Sequence, residues 1–129
     1  DTPIEMRWRD RDGEHVTTKP LAELRDVVLG VVPGQRLGYV TDLRYTPVNV
    51  DALTRLFAGG LDTLFIEAVF LDADREHAER KHHLTARQAG EIARRVGARS
   101  VVPFHFSPRY EGRGDEVCAE VLAAWNGAG

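Results

Sequence analysis

Residues 85–105, TARQAGEIARRVGARSVVPFH, decide the fold. Thr85 and Gln88 have the spacing of a capping box, in which the N-cap hydroxyl and the N3 side chain satisfy each other's backbone N–H groups. Ala86, Ala89, Ile92, Ala93 and Val96 follow at helical spacing, so one face of the predicted helix is apolar, and Gly97 stops it. Ser100–Phe104 is too short and too β-branched for a second helix and reads as a buried strand, with His105 at its end. A capped helix feeding an apolar strand is the repeating step of an α/β fold.

The same step recurs upstream. Residues 63–67, TLFIE, form an apolar strand that ends on a carboxylate, Glu67. A helix is predicted after Asn49, a good N-cap, with Val50, Leu53, Leu56 and Phe57 on its apolar face and Gly59-Gly60 at its end. Residues 36–41, RLGYVT, form a strand that ends at Asp42, preceded by a turn at Pro33-Gly34 and an apolar run, VVLGVV, over 27–32. Residues 72–81 are polar and read as a short exposed helix or loop. At the N-terminus, IEMRWR (4–9) alternates as a half-buried strand does. A hairpin turn over Asp10 to Glu14 and a short strand near His15–Thr18 follow. Downstream, Asp115 is placed to cap a last helix, Glu116 to Asn126, with Val117, Val121, Leu122 and Trp125 as its core face. Cys118 falls on the same inner side and reads as core packing. The predicted fold class is α/β, a β-hairpin and then alternating strands and helices, in one domain over 1–129. The absence of an initial Met fits a fragment or a processed chain.

Composition narrows the function classes. With 43% apolar and 29% charged residues in 129, the chain reads as a globular domain with a core of its own. No apolar run is long enough to span a membrane. The single cysteine, Cys118, makes no internal disulfide, which favours a cytoplasmic protein. A net charge of −3 argues against nucleic-acid binding through the whole surface. The basic residues between Arg75 and Arg99 are diluted by acidic neighbours and read as a solvated helix face.

The chemistry lies at the strand ends. Asp42 follows one strand, Glu67 ends another, His105 follows a third, and His83 sits at the entrance of the capped helix. Open α/β sheets bind ligands outside the carboxyl ends of their strands, so these four side chains could converge. The alternative is an Asp in a turn, a capping group and a structural histidine. His15, His77 and His82 read as surface residues.

Four segments, GYVTDLRYTP (38–47), FIEAVFLD (65–72), HHLTARQAGEIA (82–93) and VVPFHFSPRY (101–110), resemble successive motifs of ribonuclease Z and its close relatives, in the family's order. The resemblance implies the C-terminal half of a metallo-β-lactamase αββα sandwich, a mixed sheet with helices on one face, and a zinc-dependent phosphodiesterase that processes tRNA 3′ ends. It places Asp42 where the family has the aspartate bridging two zinc ions and His105 at its last zinc-ligand position. It places His83 where a histidine contacts the scissile phosphate and protonates the leaving group. Glu67 matches the glutamate of the His-Glu-Ala-Thr segment, with a role either in orienting a catalytic histidine or in buried hydrogen bonding. Ser107 and Arg109 follow the His105 ligand and are candidates to touch substrate, as are Tyr110 and Arg44.

The departures are as informative. No His-x-His-x-Asp-His segment is present, Ile66 and Val69 replace the family's histidine and threonine, and VTD stands for the commoner Ser-Gly-Asp. The zinc site is therefore expected to be incomplete within these residues, and the chain inactive alone. Half of the fold would leave an apolar sheet face open. The expected partner is the N-terminal half of the fold or a second copy, with a tRNA precursor as the RNA substrate. A different metallo-β-lactamase-fold hydrolase and a non-catalytic interaction or dimerisation module remain alternatives.

Overall fold

Period-two patterning at the N-terminus produces a hairpin. In the computed structural model, which describes residues 1–28 and 30–128, strands β1 (Pro3–Asp10) and β2 (Gly13–Pro20) pair antiparallel with Trp8 opposite His15. Both strands run further than the pattern predicts. Helix α1 (Leu21–Val28) follows at once, its first N–H donating to the carbonyl of Thr2 at 2.9 Å. The apolar run 27–32 gives no strand. Val27 and Val28 end α1, Val31 and Val32 are 76% and 78% exposed, and neither joins a β ladder. Leu29 lies outside the described residues. Asp1–Gly34 forms one compact unit and Gln35–Gly129 a second.

The second unit is built on a parallel sheet of β3 (Leu37–Val40), β4 (Thr63–Glu67) and β5 (Val101–Phe104), in that spatial order. α2 (Pro47–Leu56) connects β3 to β4. α3 (Arg75–Lys81) and α4 (Ala86–Arg95) connect β4 to β5, and α5 (Gly114–Trp125) closes the unit. The sheet has two unlike faces. Gly38, Val40, Leu64 and Ile66 share one face and are buried, with α4 against β4 and β5 and α5 against α4. Leu64 and Ile66 are wholly buried, which stabilises the unit by roughly 1.5–3 kcal/mol each. The opposite face carries Leu37, Tyr39 and Val102, at 59%, 68% and 39% exposure, and Tyr39 stacks on Phe104 with centroids 5.1 Å apart. The α/β class is as the sequence predicts; the exposed apolar positions of the open face come from β3 and Val102, while TLFIE, expected to be exposed there, is buried or half-buried throughout.

Local caps agree in part. Thr85 Oγ1 accepts from the Gln88 N–H and Gln88 Oε1 accepts from the Thr85 N–H, so the capping box forms as read. α2 starts a turn earlier than predicted. Its N-cap is Thr46, because Pro47 fits only the first helical turn, and Asn49 is its third residue. Asp115 does not cap α5. Arg113 holds the N-cap position, and Asp115 and Glu116 lie in the first turn, where the helix dipole favours acids. Val117, Val121 and Ala124 form the inner face of α5, Leu122 is 42% exposed, and Cys118 is half-buried. Among the described residues no helix is long and apolar enough to cross a membrane.

Candidate functional site

Parallel strands deliver their ends to one side of a sheet, and here that side collects the polar residues. Asp42 lies two positions beyond β3, Glu67 is the last residue of β4, and His105 directly follows β5. His83 enters from the connection between α3 and α4. One ligand atom from each of the four lies within 4.8 Å of the others.

Glu67 is the organising group. Its side chain is fully buried, and a carboxyl so placed needs compensating donors. It has three from the backbone: the Asp42 N–H at 2.7 Å, the Leu84 N–H at 2.9 Å and the Leu43 N–H at 3.4 Å. A fourth is the His83 ring, whose Nδ1 lies 3.2 and 3.3 Å from the two carboxyl oxygens. A proton on Nδ1 satisfies that contact and leaves His83 Nε2 for other work. His105 Nδ1 is 3.6 Å from the same carboxylate, and the two imidazoles meet edge-to-face at 5.4 Å.

The backbone is strained where the site is formed. Asp42, His82 and His105 are the described non-glycine residues with positive φ, at 52°, 59° and 63°. Such conformations persist when surrounding contacts over-determine them, and they cluster at functional sites. At Asp42 the holding contact is its own N–H on Glu67. At His82 it is the helix end, where that residue is the left-handed C-cap of α3 and its N–H meets the Glu79 carbonyl.

The four groups divide into two kinds. The lone pairs of Glu67 are spent on N–H donors, so it shapes the site and is a poor ligand. Asp42 and His105 have side chains 72% and 47% exposed and keep donor atoms for an ion. A carboxylate oxygen with imidazole nitrogen suits zinc and other divalent first-row metals. The residues present therefore fit one side of a metal site, and the cluster could hold a metal ion.

Ser107 and Arg109 line a cleft of about 240 Å³ with His83 and His105. Ser107 Oγ accepts from the Arg109 N–H at 3.3 Å, which leaves its own O–H as a donor. The Arg109 guanidinium pairs with Asp74 at 2.9 Å. Tyr110 is buried behind them. Its hydroxyl donates to Asp74 and accepts from the Leu71 N–H, and that donation, with Arg109, holds Asp74 below the usual carboxylate range. Arg44 is exposed, and its carbonyl accepts from the Asn49 amide at 2.8 Å.

Two further residues line the cleft, His77 and Lys81. Sequence reasoning assigned the first to the surface and the second to a solvated face. The available signal was their i,i+4 spacing just before His83. Partial burial against Phe70, then Arg109, Arg80 and Lys81, lowers the pKa of His77.

The Beta-lactamase superfamily domain matches residues 9–106. Ribonuclease Z of Nocardia farcinica is 41% identical over 99 residues, covering 77% of this chain and 28% of that relative. Ribonuclease Z of Thermobifida fusca is 46% identical over 99 residues, 75% of this chain and 29% of the relative. That of Deinococcus radiodurans is 38% identical over 92 residues, 71% and 28%. The chain thus spans less than a third of the length of these curated relatives. It belongs to the beta-lactamase superfamily and, within it, is similar to the ribonuclease Z proteins.

Proposed function

We propose that this chain is one part of a zinc-dependent, ribonuclease Z-like phosphodiesterase acting on RNA, with tRNA precursors as the substrate class. The observation that carries the reading is the buried Glu67 carboxylate holding His83 beside Asp42 and His105 at the ends of three parallel strands. Asp42 and His105 are the metal ligands this chain contributes. His83, fixed through Nδ1, protonates the departing oxygen at Nε2, and Glu67 keeps the ring in that orientation. Ser107 and Arg109 contact the phosphate through the hydroxyl and the guanidinium. Zinc, when bound, supplies Lewis acidity and a more acidic water.

Two protein ligands fall short of the three that a catalytic zinc ordinarily has. The others come from a segment outside these residues, and the same segment covers the open face of Leu37, Tyr39 and Val102. Residues 1–129 are then a single partial domain, a view supported by a family match that runs from 9 to 106 across both compact units. The lone cysteine supports a cytoplasmic setting.

The test is turnover. With zinc added, the isolated chain leaves a phosphodiester such as bis(p-nitrophenyl) phosphate intact. A longer gene product that carries His-x-His-x-Asp-His upstream of Asp1 hydrolyses it and loses that activity on His83→Ala. Clear turnover by the isolated chain contradicts the incomplete-site reading. A second reading, a non-catalytic interaction or dimerisation module, is favoured by the exposed sheet face, and it gains if no such upstream segment is encoded.

A further inference from the structure

We infer that the cleft beside His83 holds a second phosphate-binding subsite, made by Lys81 and His77 of α3, which grips the phosphate next to the scissile one. The inference rests on the phosphodiesterase reading and adds to it that the substrate is recognised as a chain of phosphates, not as a lone ester.

His77 and Lys81 stand four residues apart, so they share one face of α3, and both line the cleft with His83, His105 and Ser107. No carboxylate is among its described lining residues. Of its two permanent cations, Arg109 pairs with Asp74 through Nη1 and keeps its remaining N–H groups for the scissile phosphate. Lys81 is exposed and has no ion-pair partner among the described residues, so its charge is available to a ligand.

His77 supplies a neutral donor. The Arg80 guanidinium, which only donates, lies 3.2 Å from His77 Nδ1. Nδ1 must then be the acceptor nitrogen, and the ring hydrogen sits on Nε2. A T-shaped contact with Phe70, centroids 5.0 Å apart, fixes the ring. An ammonium and an N–H donor on one helix face form a phosphate grip, and the Ser107 hydroxyl extends it toward His105. Because the chain carries net charge −3, attraction of a polyanion has to be local, and this cleft provides it.

The test compares uridine 3′,5′-bisphosphate with uridine 3′-monophosphate on this chain, by calorimetry and by amide shifts at Lys81 and Ser107. The bisphosphate is expected to bind roughly tenfold more tightly, a preference that Lys81→Gln reduces to about twofold and Lys81→Arg retains, with monophosphate affinity unchanged. Equal binding of the two by the wild-type chain, or a Lys81→Gln effect equal on both, overturns the second subsite and leaves the phosphodiesterase reading standing. Binding of neither likewise overturns the subsite, while the phosphodiesterase reading is decided by turnover of the longer gene product.

Discussion

The fully buried Glu67 carboxyl and the half-buried His83 imidazole form a pair, Nδ1 lying 3.2 Å from Oε2, and the carboxyl also receives three backbone N–H groups, from Asp42, Leu43 and Leu84. One side chain thus fixes the loop after β3, the entrance to α4 and the histidine between α3 and α4. Removing it leaves those N–H groups unsatisfied. Glu67→Ala should lower stability by about 3 kcal/mol and Glu67→Gln by less, because one amide oxygen still accepts. Urea unfolding of the three proteins checks this. Equal stabilities would mean that the pair does not hold the site together.

At Gly90, α4 and α5 approach each other closely. A Cβ there would lie 2.7 Å from Ala124 Cβ and 2.9 Å from the Trp125 nitrogen, and α5 backbone cannot give way cheaply. Gly90→Ala should cost about 2 kcal/mol or more despite alanine's better helix propensity. A neutral or stabilising effect in thermal unfolding would show that α4 and α5 pack less tightly than described.

His82 sits at φ 59° and is exposed, so its side chain carries strain without burial. His82→Gly relieves that strain and should stabilise the chain by up to about 1 kcal/mol. A loss of stability in the same unfolding measurement would assign His82 a contact that the geometry lacks.

The acid side of the stability profile has an identifiable contributor. Asp74 is held below its ordinary value of 3.8 by the Tyr110 hydroxyl first and Arg109 next. A depressed folded value means that the contribution is present above 3.8 and is lost as pH falls through the folded value. Tyr110→Phe should move the Asp74 titration, followed by its carboxyl ¹³C shift, upward toward the ordinary value. An unmoved titration would place the cause elsewhere.

The site was legible because its residues break a pattern. A carboxylate closing TLFIE and a histidine closing SVVPF are anomalies on otherwise apolar strands, and the Thr85 capping box located the helix that separates those strands. His77 and Lys81 broke no pattern. Charged residues on a short polar helix read as solvated, and only the tertiary fold turns that face toward His83 and His105. α1 was hidden for a related reason. It follows Pro20 without a turn, and the valines at its end drew the reading toward an apolar run over 27–32. Asn49 misled because Thr46, three residues earlier and not weighed in the sequence reading, is the cap, with Pro47 starting the helix after it.

We propose that Asp42 and His105 are the metal ligands of this chain and that Glu67 is not. Calorimetric zinc titration of the wild-type chain and of Asp42→Ala, His105→Ala and Glu67→Gln tests it most directly. One weak site is expected, lost in Asp42→Ala and in His105→Ala and retained in Glu67→Gln. Zinc binding that survives both ligand substitutions, or that disappears only with Glu67→Gln, would contradict it.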